Sequence, residues 1–416
     1  MVYVILSIIS LFSSLVLLVL GNSMLGTVAA LRLEIEGFNP STAGLILAFF
    51  SIGFVAGSRF GVEIIVRVGH IRAFAVFGAL AASVTLIHPL YISAAGWMVL
   101  RLVLGFCIAG LMLVVESWTN SRATSENRGK LLATYMLLFY MAASAGQFLI
   151  ILGDPGLHHL FIFSAILICL SLIPVSLTRS PAPDLELQDR MSIENLWRVS
   201  ALGVAGAVLS GVILSAFSAL GPIYALQMGL RIEQVATFMG IAILAAMALQ
   251  WPIGYISDFY ERRKVLLILS GVGAAASILT AFMGGLGAIW LYCLVPLFYG
   301  VAACLYPIAL ALTHDSSGQE KVVPTSATFL LVFGIGTIVG PILGGVSMSL
   351  FGPSGLFVFM TVALTLLTIS AAGVLSTTQA PSTEDQEHCF GIAPVSTSVI
   401  MELDPRNEEF NSASSS

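Results

Sequence analysis

Apolar residues occupy this chain in long blocks, separated by short clusters of Gly, Pro, Asn and charged residues. Each block is close to the ~20 residues that a helix needs to cross the hydrocarbon core of a bilayer. The pattern predicts about twelve such helices. Six fall near 3–32, 41–66, 73–92, 96–119, 130–152 and 158–177, and six more near 201–226, 232–257, 264–284, 287–312, 323–349 and 354–376. Between the two sets runs "LTRSPAPDLELQDRMSIENLWR", whose Pro, Asp and Glu content marks a linker. Beyond residue 377 the chain turns polar and Ser-rich, the composition of a disordered tail. The expected organisation is an N-terminal six-helix bundle over 1–178, a cytoplasmic linker over 179–200, a C-terminal six-helix bundle over 201–377 and a cytoplasmic tail over 378–416.

Composition sharpens the class. Hydrophobic residues make up 58% of the 416 positions and charged residues only 9%, against about 25% charged in soluble domains. The predicted fold class is therefore an all-α polytopic membrane protein. "MVYVILSIISLFSSLVLLVLG" opens the chain with no basic segment and an apolar run too long for a signal peptide, so it reads as a retained first helix. Four of the five cysteines (Cys107, Cys169, Cys293 and Cys304) sit in apolar blocks as small packing residues, and with Cys389 they show no metal or redox spacing. No GxxxxGK[ST] loop and no nucleophile or metal constellation occurs, so neither an enzyme, an ATP-driven pump nor a cofactor is expected. The net charge of −5 lies largely in the tail and offers no basic surface to nucleic acid.

Lys and Arg set the orientation. With the N-terminus inside, the inner loops and tail carry Arg67, Arg72, Arg122, Arg128, Lys130, Arg179, Arg190, Arg198, Arg262, Arg263, Lys264, Lys321 and Arg406. The outer loops carry only Arg32 and Arg231. Both termini are expected in the cytoplasm, with the helices in the plasma membrane or a bacterial inner membrane. The halves also echo each other, "RVGHIRAF" following the second block and "FYERRKVL" the eighth. Six plus six helices with an inner linker is the arrangement of parallel-repeat secondary transporters, whose site lies between the halves at mid-membrane.

At these stretches the chain resembles the major facilitator superfamily, and the resemblance covers nearly its whole length. "GYISDFYERRK" has the form of that superfamily's loop signature, from Gly254 through Asp258 to Arg262, Arg263 and Lys264. The first-half copy, "VEIIVRVGHIR", keeps Arg67, Gly69 and Arg72 but has Val66 in place of the acid. "RLVLG", from Arg101, resembles the span-4 arginine motif. "GIGTIVGPILGG" resembles a motif associated with exporters when it lies in span 5; here it lies in span 11, the pseudo-symmetric position. "LRLEIEGFNPSTAG", "GFCIAGLMLVVESW", "NRGKLLATYM" and "LQWPIGYISD" are similar to a bacterial YcaD-like branch. The resemblance implies two pseudo-symmetric bundles and a cytoplasmic gate at Arg67, Gly69, Arg72, Gly254, Asp258, Arg262 and Arg263. It also favours a role for Arg101 in proton coupling.

Charged residues inside the blocks are the first candidates for a site, since each costs about 2.5–3.5 kcal/mol at mid-helix. Arg59 and Glu63 share a helix face at i,i+4. They are expected to neutralise each other and latch the second helix, the sharper alternative being an anion contact at Arg59 or a protonatable Glu63. Glu63 also offers a carboxylate one turn before the missing acid at Val66. Arg101 stands open between a substrate-anion contact, proton coupling and helix packing. Glu116 lies near the inner end of the same helix, where pairing with Arg122, Arg128 or the basic loop is preferred to proton carriage. Asn22, Tyr135, Tyr140, Gln147, Tyr224, Gln250, Trp251 and Tyr306 either line a mixed aromatic and polar pocket or bond helix to helix. His314 and Asp315 read as a cap or surface pair.

The prediction is a secondary transporter of a small organic solute, acting as a monomer by alternating access. Protons are the expected coupling ion, export the favoured direction, and membrane lipid the other partner. A non-transporting receptor or sensor on the same scaffold, and a lipid-translocating protein, are the alternatives.

Overall fold

The computed structural model describes residues 2–124, 126–177, 191–317 and 322–377. Among them are 12 helices long and apolar enough to cross a membrane, as the hydrophobic blocks predict, and a short helix in the linker. Residues 178–190 of the linker region, 318–321 and the whole tail, and with them Arg179, Arg190, Lys321 and Arg406, lie outside the described residues.

The chain forms two compact units. Unit 1 contains α1 (Val2–Ile35), α2 (Pro40–Val68) from Phe49 onward, α3 (His70–Ile87), α4 (Ala94–Asn120), α5 (Arg128–Phe148) and α6 (His159–Ser176). In it α1 packs on α4, α5 and α6, and α3 packs on α4 and α6. Glycines bring α2 against α4. A Cβ on Gly53 or Gly57 would overlap the α4 backbone at Leu102 or Phe106, and one on Gly105 would overlap Phe50. Small residues let membrane helices approach this closely, where lipid offers no hydrophobic drive.

Unit 2 holds α7 (Ile193–Val199), α8 (Ala201–Gln227), α9 (Ile232–Phe259), α10 (Arg262–Met283), α11 (Ala288–Ser317), α12 (Val322–Phe351) and α13 (Gly355–Thr377). Here α8 packs on α11, α12 and α13, α10 packs on α11 and α13, and α9 packs on α11. Each pair reproduces one in unit 1 when α1 is matched to α8, α2 to α9 and so on to α6 and α13. The two units therefore share one internal plan. The linker helix α7, capped by Ser192 through its bond to the Asn195 amide, docks Leu196 onto unit 2.

Residues Gly37–Ala48 group with unit 2 rather than with the rest of the first half. Gly37 turns the chain at φ +77°, Asn39 Oδ1 accepts from the Thr42 amide at 2.8 Å, and Pro40 takes the first helical position. The helix so started lies on α12, where Gly44 meets the Pro341 carbonyl and Gly345 meets Pro40. Further along α12, Gly336 and Gly340 press against the α8 backbone at Val208 and Val212. The glycine motif of α12 is thus a packing seam.

One helix is shorter than the pattern predicts. α3 stops at Ile87 instead of near residue 92, because Pro89 has no N–H to continue the helical ladder and its ring crowds the carbonyl four residues back, although His88 itself keeps helical geometry. The His88 carbonyl released there accepts from Trp97 Nε1 at 3.0 Å.

Candidate functional site

In unit 1 the chemistry concentrates on α4, which Ser93 caps by accepting from the Gly96 amide. Arg101 lies about 10 Å along that helix from its first residue, at 1.5 Å per residue. It is 5% exposed, its Cζ sits 5.5 Å from the Phe50 ring of α2, and its Nε is sealed from solvent without a partner. No ion pair or hydrogen bond to Arg101 occurs among the described residues. His88, which sequence reasoning missed, lies within electrostatic reach of this guanidinium. Its Nδ1 donates to the Val84 carbonyl at 2.7 Å, its ring packs on Trp97 and Phe161, and its Nε2 is buried without a partner. The His-Pro step that ends α3 was the available signal.

Near the other end of α4, Glu116 has no exposure. Tyr135 of α5, itself fully buried, donates its hydroxyl to Glu116 Oε1 at 2.7 Å. A hydrogen bond to a carboxylate in a low-dielectric setting is stronger than the same bond in water. Arg128, at the start of α5, is also buried.

The remaining unit 1 candidates separate clearly. Arg59 and Glu63 pair at 3.0 Å, but their side chains are 43% and 51% exposed. Arg67 and Arg72 are exposed, and Gly69 makes the turn between α2 and α3 at φ +88°. Gln147 is a clamp between α5 and α1: its Oε1 accepts from Thr27 Oγ1 and its Nε2 donates to Ser23 Oγ, both at 2.7 Å. Tyr140 is buried. Asn22 is half-buried in the middle of α1.

In unit 2 the loop signature builds a buried ion cluster. Arg262, with 0% side-chain exposure, bonds Asp315 of α11, donates to the Ala311 carbonyl at 3.1 Å and reaches Asp258 at 3.6 Å. Gly254 is buried, and its carbonyl accepts from Ser257 Oγ; Arg263 is half-buried. His314 and Asp315 do not form the cap or surface pair that the sequence suggests. Asp315 takes Arg262, and His314 Nε2 meets Ser326 Oγ of α12 at 2.9 Å.

Tyr224 is fully buried, its ring 4.8 Å from Phe357, and Tyr306 packs 4.7 Å from Phe333, so both belong to the aromatic core of unit 2. Gln250 is buried with Nε2 unpartnered. Trp251 is 79% exposed and stacks on Tyr255, which in turn meets Phe259 along α9. A further polar pair, Ser218 Oγ with Tyr299 Oη at 3.3 Å, joins α8 to α11. Nothing in the sequence distinguished it from serines that bond their own helix.

A family model described as Major Facilitator Superfamily matches residues 11–322 and, in a second match, 243–400. The MFS-type transporter YcaD of Escherichia fergusonii is 27% identical over 355 residues, 84% of this chain and 91% of that protein. YcaD of Salmonella newport is 25% identical over the same shares. Among solved structures, the nucleoside transporter NupG superposes with a TM-score of 0.74 at 15% identity, covering 89% of this chain and 100% of that one. A bacterial homologue of the human lysosomal transporter Spinster, inward-facing and unoccupied, gives a TM-score of 0.70 at 14% identity over 92% of this chain and 98% of that one.

Proposed function

The chain belongs to the Major Facilitator Superfamily, and from that premise we propose that it is a proton-coupled secondary transporter of a small organic solute. It works as a monomer by alternating access, with both termini in the cytoplasm. Two units of one plan supply the elements that such a cycle rocks, and the relatives and structural neighbours carry transporter names. The glycine-rich motif of α12 favours export as the direction.

Glu116 is the observation that carries the coupling. A carboxylate with no exposure inside a membrane helix is costly while charged, and a proton removes that charge. Tyr135 of α5 donates its hydroxyl to this carboxyl at 2.7 Å, which ties the group to the packing of α4 on α5. Proton arrival and departure at this carboxyl then favour different arrangements of α4 against α5, which is what coupling requires.

The test uses the purified protein in liposomes loaded with a pH-sensitive dye. A mixture of nucleosides, amino acids and organic acids is added to the outside. Wild-type protein should move protons when cargo moves, and Glu116→Gln should uncouple the two or stop both. Proton movement in Glu116→Gln equal to wild type would remove Glu116 from the mechanism.

A further inference from the structure

Arg101 poses an electrostatic problem that the chain does not solve. A guanidinium in a low-dielectric interior needs a counter-charge or a path to water. Long side chains near helix ends find water by snorkelling. Arg101 does so only marginally: it is 5% exposed although it lies only about 10 Å from the start of α4, and its Nε is sealed. No carboxylate approaches it within ion-pair distance among the described residues. Its neighbours are the Phe50 ring at 5.5 Å and the His88 imidazole, neither an anion. Compare Arg262, equally buried, which has Asp315, Asp258 and the Ala311 carbonyl around it. One buried arginine is satisfied by the chain and the other is not.

The geometry points to a carboxylate-binding subsite in unit 1, formed by Arg101 and overlaid by Phe50, for an organic monocarboxylate with a flat apolar body. The terminal nitrogens of Arg101 carry no partner, and unlike Nε they are not sealed, so they can receive the two oxygens of a carboxylate side by side. Phe50 and Phe54 stack at 6.3 Å on α2, and both rings are part-exposed. That pair offers an apolar surface for the body of a ligand whose acid end is held by Arg101. His88, held by Val84 and walled by Trp97 and Phe161, is a rigid neighbour that adds no negative charge. The inference deepens the transport reading and rests on it for the ligand's passage through the membrane, but binding is measurable without transport.

The experiment follows thermal unfolding of the intact, purified protein with benzoate, phenylacetate and hexanoate, their neutral amides, and inorganic phosphate. A ligand that binds the native state raises the unfolding midpoint. The acids are expected to raise it and the amides to leave it in place, with phenylacetate ahead of hexanoate. Arg101→Gln should weaken acid binding by at least about tenfold, since a charge-assisted bond is lost. Arg101→Lys should keep part of the effect, and Phe50→Leu should erase the preference for phenylacetate over hexanoate while leaving the protein folded. Equal responses to acids and amides, or unchanged acid binding in Arg101→Lys and Phe50→Leu together, would overturn the subsite. Stabilisation by phosphate alone would also overturn it and indicate a phosphate group, as on a lipid. Carboxylate binding without flux in liposomes would leave the subsite standing and sink the transport reading instead.

Discussion

Arg262 has no side-chain exposure and two acids beside it, so removing either acid should not cost the same. Asp315 is bonded directly to the guanidinium and is 7% exposed, whereas Asp258 stands 3.6 Å away and is 12% exposed. Breaking a buried pair leaves an uncompensated charge and costs about 3–5 kcal/mol. Asp315→Ala is expected near the lower end of that range, because Asp258 still offsets part of the charge. Asp258→Ala should cost about 1 kcal/mol or less. Unfolding of the detergent-solubilised variants reads the difference directly; equal losses would mean that Asp258 carries half the cluster. Asp258 was legible beside Arg262 because i,i+4 spacing is local. Asp315 is 53 positions away, and no pattern within one helix announces it. The same limit hid Tyr135 as the partner of Glu116. Periodicity locates a buried charge, but only packing between helices names what meets it.

Among elements, the α8–α12 seam is the clearest case of a motif whose packing role shows only in the structure. The GxxxGPxxGG form was legible as spacing, and its resemblance to a superfamily motif associated it with exporters. In the fold, Gly336 and Gly340 are the places where the α12 backbone touches α8, and Gly344 and Gly345 meet Leu220 and the start of α2. A methyl group on Gly340 would overlap the Val212 carbonyl and Ser215 Oγ, and one on Gly336 the Val208 carbonyl. Gly271, by contrast, has nothing within 4 Å of where its Cβ would stand. Gly→Ala in a helix interior otherwise stabilises by roughly 0.5–1 kcal/mol. Gly271→Ala should therefore raise stability by about that amount, while Gly340→Ala lowers it by about 1–3 kcal/mol through overpacking. Midpoints in a chemical unfolding series separate the two signs. Should Gly340→Ala also stabilise, the seam would be looser than the backbone approach implies.

At the scale of the molecule, the two units share their pairing of helices but not the chemistry of their matching turns. Arg262 opens α10 and binds acids, while His70, which opens α3, is buried with its ring 5.7 Å from Trp118. The degenerate first-half loop was legible from Val66, whereas its replacement by a stacked ring was not, since aromatic contacts leave no spacing signature. What composition did make legible is the distribution of positive charge. Arg67, Arg72 and Lys264 cluster at the turns after α2 and α9, and Arg231 stands nearly alone at the turn after α8. Cytoplasmic loops carry the excess of Lys and Arg in helical membrane proteins, so the first set should face the cytoplasm and Arg231 the outside. In a variant with its native cysteines replaced, Arg72→Cys and Lys264→Cys should resist a membrane-impermeant maleimide in intact cells and react after lysis. Arg231→Cys should react before lysis, since its loop is exposed. The reverse pattern would invert the orientation and place both the Arg262 cluster and Glu116 at the outer surface. Protons would then reach Glu116 from the opposite side, and the proposed direction of export would have to be argued anew.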